Sequence, residues 1–319
     1  MRRLPIRPDT GAPRWQDQAD NQPVFGESMN TINPMNAVAL FLTVGKLRPA
    51  ETWNLTGWSF VWLCVIGLVQ VSIQPVPDLG SADQSAMLGD YFSSLALVIP
   101  IGLLSWALPF AAWMRLLTTG RGNGVFPFRL GREEMWAIFV LVAIVLAMWA
   151  AMAMVLLVGF LLAQLVPALI ALAFVAVPAL GIVAIYISIR LTPAAALSAM
   201  THRFAVVDTW RAMDGKVVSV FLAWLVIVVA SVVLGLVAMT IGSLVPSLSL
   251  AQAMNDMMPG GERPALTTLA PALFVSLAVQ LPVTLMSYSV AAYSALAISG
   301  RDDDWTRAIE QVEREATEG

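Results

Sequence analysis

A chain of 319 residues that is 58% apolar and only 12% charged holds about half the charge of an ordinary soluble domain, in which roughly 25% of residues are charged. Its charges cluster between apolar runs of about 20 residues, the length that crosses a bilayer core, so a soluble globular protein is excluded and an all-α, polytopic membrane bundle is expected. With one cysteine (Cys64) and one histidine (His202), neither an intrachain disulfide nor a Cys/His zinc site can be assembled, and the net charge of −3 hides a strong asymmetry between loops.

Residues 1–32 are rich in Pro, Gly, Asp and Gln and have no apolar core of signal-peptide length, which reads as a disordered cytoplasmic tail. Asn33-Pro34 is a helix start, with an Asn cap and Pro at the first helical position. The helix it opens runs to Arg48. It is too short to span, and is expected at the interface with Lys46 and Arg48 toward headgroups. Six spans follow in a transmembrane domain over 33–299: Leu55–Ile73, Tyr91–Leu116, Met135–Leu162, Pro167–Leu191, Val217–Val245 and Leu269–Ser299. None contains an interior Asp, Glu, Lys or His. Arg115 and Arg190 fall at span ends, where a long side chain can snorkel to the headgroups. The third and fourth spans are joined by a tight turn near Gln164–Pro167.

All but Arg263 of the 18 basic residues fall in the segments on one side of this six-span arrangement. The positive-inside rule then places both termini in the cytoplasm, for a multi-pass protein of a bacterial inner membrane. Gly45-Lys46, Gly131-Arg132 and Gly215-Lys216 each precede an odd-numbered span. Paired prolines mark the even spans: Pro100/Pro109, Pro167/Pro178 and Pro271/Pro282. The pattern suggests three repeated helical-hairpin units, each with an amphipathic segment, a straighter helix and a kinked one.

Candidate motifs weigh toward structure rather than chemistry. Ser231, Gly235, Ala238 and Gly242 put small residues on one face of the fifth span, fit for close packing within the subunit or, as the alternative, for a dimer seam. Gly120-Arg121-Gly122-Asn123-Gly124 has neither the strand nor the Lys-Ser/Thr of a phosphate loop, and reads as a turn before Glu133 and Glu134, which favour the next helix start. His202 has no second ligand and no positioned partner. It lies in a connector, 190–216, whose short helix TWRAMD is capped by Asp208 and stopped by Gly215. Phe204, Val207, Trp210 and Met213 would form the side of that segment that sinks into the interface. Asp302-Asp303-Asp304 starts an acidic tail helix (300–319) with Trp305, Ala308, Ile309 and Val312 on one face and a Glu310–Arg314 pair.

The runs W-M-R-L-L from Trp113, F-R-L-G-R-E-E from Phe128, R-L-T-P-A-A-A from Arg190 and T-W-R-A-M-D-G from Thr209 carry a resemblance. Together they resemble a group of uncharacterised bacterial six-span membrane proteins, distantly similar to the membrane domain found beside some glycerophosphodiester phosphodiesterases. In that wider group the last element reads Ser-Trp, two residues, Thr, one residue, Gly. Trp210 and Gly215 match it, whereas Thr209 and Met213 depart. The resemblance covers residues 36–300 and implies a fold and topology. No stretch is long enough for the phosphodiesterase barrel, which takes about 250 residues.

The expected function is that of a non-enzymatic scaffold, envelope or partner-binding membrane protein. Its expected partners are membrane lipids and another membrane protein or a second copy; nucleic acid is not among them. The alternative is a transporter or permease subunit for a lipid-like or weakly polar solute, using Gln280, Thr284, Ser287, Tyr288, Ser289 and Tyr293 of the sixth span. No catalytic, cofactor-binding or metal-ligating residue is nominated.

Overall fold

The computed structural model describes residues 32–73, 84–120, 125–165, 170–245 and 266–301. The terminal tails, the inner part of the Gly120–Gly124 turn and the joint near Pro167 lie outside the described residues. Every regular element described is helical: α1 Pro34–Leu47, α2 Pro49–Ile73, α3 Gln84–Thr119, α4 Arg132–Leu165, α5 Ile170–Leu191, α6 Ala194–Thr201, α7 Val206–Ala212, α8 Val217–Leu244 and α9 Leu266–Ile298. Six of these (α2, α3, α4, α5, α8 and α9) contain stretches long and apolar enough to cross a membrane, so the chain is a multi-pass helical membrane protein.

α1 starts as its sequence demands. The Asn33 side chain accepts from the Met35 and Asn36 N–H groups at 3.0 and 3.4 Å, and Pro34 occupies the first turn. Its apolar face packs on protein. Ala37, Val38, Leu40 and Val44 are buried against α9 and α8. Arg48 is the single residue between α1 and α2 and pairs at 3.6 Å with Glu51.

Prolines interrupt α3, α5 and α9 at Pro100, Pro109, Pro178, Pro271 and Pro282, as expected of the even spans. Pro109 offers no N–H to the carbonyl of Ser105 one turn before it. The Trp62 indole of α2 donates to that carbonyl at 3.2 Å, so the break is repaired from a neighbouring helix.

The segment after α5, expected as a polar connector, contains a buried helix. In α6, Ala194 through Ala199 are all buried, chiefly against α4, with α3, α7 and α9 completing the cover. Four alanines in six residues let the neighbouring backbones come close. Ser198 Oγ donates to Ala194 O and accepts the Ala205 N–H at 3.1 Å, tying α6 to the start of α7. α9 closes with Gly300 in a left-handed conformation (φ 69°), its Schellman bond running from Arg301 N–H to Leu296 O at 2.9 Å.

Among the described residues packing is concentrated at one end, where the basic residues of those segments gather. Phe110 through Leu117 of α3 and Val290 through Ala292 of α9 are buried there among α1, α2, α6 and α8. Toward the other end α4, α5 and α8 expose apolar side chains such as Trp149, Met154, Ile182 and Leu236. Nothing outside its own helix lies within 4 Å of where a side chain on Gly181 or Gly235 would begin. The small-residue face of α8 is therefore open at Gly235, against the expectation of packing within the subunit; only Gly242 of that set is buried.

Candidate functional site

The densest polar cluster joins the end of α3 to the start of α4. Arg115 and Glu134 are each only 2% exposed and form an ion pair through Arg115 Nη1 and Glu134 Oε1. Arg115 Nη2 donates to Pro127 O at 3.1 Å, and Arg129 Nε lies 3.3 Å from the same Glu134 oxygen. The linker 125–131 is thus held by the guanidinium it passes over. Its far side is fixed by Asn54 Nδ2, which donates to Val125 O at 3.3 Å, and by Phe126 set edge-on to Trp58 at 5.1 Å. A side chain on Gly131 would begin 2.5 Å from Glu134 Oε2, so it would push the carboxylate from its place beneath the linker.

Arg115 was expected to snorkel, and that expectation fails because it finds its partner across the linker, 19 residues away in sequence. Glu134 does stand in the first turn of its helix, as expected, and takes on this second role beside it. Desolvating the two ions is costly, so the pair specifies the geometry more than it adds stability. The signal that was available is an arginine closing one span and a Glu-Glu opening the next across a short linker.

A second cluster fixes α7. The Arg190 guanidinium lies 4.3 Å over the Trp210 ring, donates to Trp210 O at 2.8 and 3.0 Å, and pairs with Asp214. Nη1 of the same arginine donates to Tyr186 Oη at 2.7 Å. Arg190 therefore pins a helix, where snorkelling was expected. The buried side of the segment is Ala205, Thr209 and Met213, so Met213 does not join Phe204, Val207 and Trp210 on the outer side. Asp208 does not cap α7; it sits in the first turn and pairs with Arg203 at 3.0 Å, while Ala205 holds the cap position. Gly215 is left-handed (φ 76°), as expected of a stop, two residues beyond the cap.

The remaining candidates have structural surroundings. His202 takes a left-handed conformation at the end of α6, with Nδ1 2.8 Å from Ala199 O. On α9 the hydroxyls of Thr284, Ser287 and Ser289 donate to carbonyls one turn back in their own helix, and Ser289 Oγ also accepts the Phe41 N–H of α1 at 3.1 Å. Tyr288 is buried with its ring edge-on to Phe110, whereas Gln280 is exposed, so the six polar residues of α9 do not share one lining. Among the described residues no group of three or more His, Cys, Asp or Glu comes together to hold a metal ion. The chemistry the clusters offer is guanidinium donation to carboxylates and backbone carbonyls. No protein-family model, curated protein or solved structure matches this chain.

Proposed function

We propose that this protein is a non-enzymatic scaffold or partner-binding protein of the bacterial inner membrane, with both termini in the cytoplasm. The observation that carries the reading is the contrast between the two ends of the bundle. At the basic end the ion pairs and indole donors hold helices and linkers together, and the packing is dense. Toward the other end the described parts of α4, α5 and α8 expose apolar side chains, and nothing outside α5 lies within 4 Å of where a side chain on Gly181 would begin. A firmly packed base carrying helices with exposed apolar faces is suited to binding other membrane-embedded helices laterally. The orientation rests on the distribution of Lys and Arg.

The transporter alternative draws on the polar residues of α9. It is weakened by the serine and threonine hydroxyls that bond within their own helix.

The test is in-cell photocrosslinking. A photoreactive residue at Ile182, exposed on α5, is expected to give a discrete protein adduct, either with another membrane protein or with a second copy. The same probe at buried Ala292 should give none. Lipid adducts alone at Ile182 would contradict the reading.

A further inference from the structure

The linker 125–131 is firmly held, yet it carries apolar side chains outward. Arg115 binds it from beneath, and Asn54 and Trp58, one turn apart on α2, hold Val125 and Phe126 from the side. Val125, Phe126 and Leu130 are exposed all the same, as is Trp53 beside Asn54. The linker is not helical, and such backbone does not stand bare in the hydrocarbon of a bilayer. Its apolar side chains therefore lie at or beyond the headgroups, where the bilayer core does not cover them. Arg129 and Arg132 follow within six residues of Phe126 and are exposed, Arg129 while also touching Glu134.

α9 delivers a segment of the opposite character to the same end. The left-handed Gly300 stops the helix and Arg301 N–H bonds back to Leu296 O, so the chain turns aside from the helix axis. Residues 302–319 hold seven Asp and Glu against two Arg, and Trp305, Ala308, Ile309 and Val312 are spaced as one face of a helix. The described residues of the basic end hold ten Lys and Arg against five Asp and Glu. Residues 1–31, by contrast, balance four Arg against four acidic residues.

The linker is also within reach. α9 packs on α3 where the Tyr288 and Phe110 rings stand 5.3 Å apart, and α3 on α2 where the Trp113 indole donates to Ser59 Oγ at 3.1 Å. At most two helix spacings, about 20 Å, thus separate α9 from the helix that holds the linker. The 18 residues of 302–319 would reach about 27 Å as a helix. Being tethered, the segment meets the linker at a far higher effective concentration than a free partner does.

We propose that the linker surface is the docking site of this chain's own segment 302–319, its apolar face laid on Trp58 and Phe126 and its carboxylates toward Arg129 and Arg132. Docking removes apolar surface from water and sets the acidic segment against the basic end. It is independent of which partner α5 takes and of which side of the membrane this end occupies.

Photocrosslinking of the full chain in its native membrane tests it, with benzoylphenylalanine in place of Phe126 and adducts mapped by peptide mass spectrometry. An adduct of monomer mass should join the probe to residues 302–319. The same probe at Leu236, exposed toward the other end of α8, should not capture them. Trp305→Ser with Ile309→Ser should lose most of the adduct at an unchanged melting temperature. Asp302→Asn, Asp303→Asn and Asp304→Asn together should lower it, because part of the attraction is charge. Adducts with lipid alone would overturn the proposal and assign the surface to the headgroups. An adduct of dimer mass would overturn it in favour of a second copy. So would a monomer adduct to 302–319 that is unchanged by Trp305→Ser with Ile309→Ser, since the contact would then not use the apolar face.

Discussion

Glu134 is a carboxylate enclosed on all sides, and its removal has a cost that follows from what stays behind. Glu134→Gln leaves the Arg115 guanidinium buried with its counter-charge gone, and breaking a buried pair in this way typically costs about 3–5 kcal/mol. Arg115→Met combined with Glu134→Leu removes both charges at similar volume and should recover most of that loss. Thermal unfolding of the three proteins in detergent should therefore rank the double variant well above Glu134→Gln. A double variant as unstable as the single one would mean that the pair matters for more than mutual neutralisation. The pairing was not legible in the sequence. Arg115 ends an apolar run and Glu134 begins another, and each has an ordinary local explanation: snorkelling for one and the helix dipole for the other. Only the path of the 125–131 linker brings them together, and that path is set by contacts to Asn54, Trp58 and Trp62 of another helix.

Among the elements, α7 shows how a short helix is fixed by one side chain. Seven residues are too few for a stable isolated helix, so α7 depends on its neighbours. Arg190 supplies a stacking surface, two bonds to the Trp210 carbonyl and a partner for Asp214. Arg190→Ala should release α7 locally, raising hydrogen exchange over 206–212 while the exchange of α9 stays unchanged. Trp210→Ala should give a smaller release, since a half-exposed cation–π contact contributes about 0.5–2 kcal/mol. Arg211→Ala should do almost nothing to exchange in detergent. Equal effects of all three would mean that α7 is held by Thr209 and Met213 alone. The sequence did announce a short helix ending near Gly215 and an aromatic side facing outward. It did not announce α6, because eight residues, six of them apolar, between charged flanks suit neither a span nor a surface helix. The signal was present all the same, in a run of small residues that only makes sense where backbones approach closely.

At the scale of the whole molecule, the number of spans and the proline placement were legible because a bilayer imposes length and apolarity on every span. Which apolar residues face protein was not legible, since a lipid tail and a leucine offer nearly the same environment. α8 shows the difficulty: it is apolar on every side, and Gly235 lies on a face that meets open space. The account therefore depends on the basic, densely packed end lying in the cytoplasm. Substituted-cysteine labelling in sealed cells tests that most directly, in a Cys64→Ser background with a membrane-impermeant maleimide. A cysteine at Val125, in the linker held over Arg115, should stay unlabelled until the cells are opened. Cysteines at Ser81 and Met254, in the segments joining α2 to α3 and α8 to α9, should react in intact cells. Labelling at Val125 in sealed cells, with protection at Ser81 and Met254, would contradict the account.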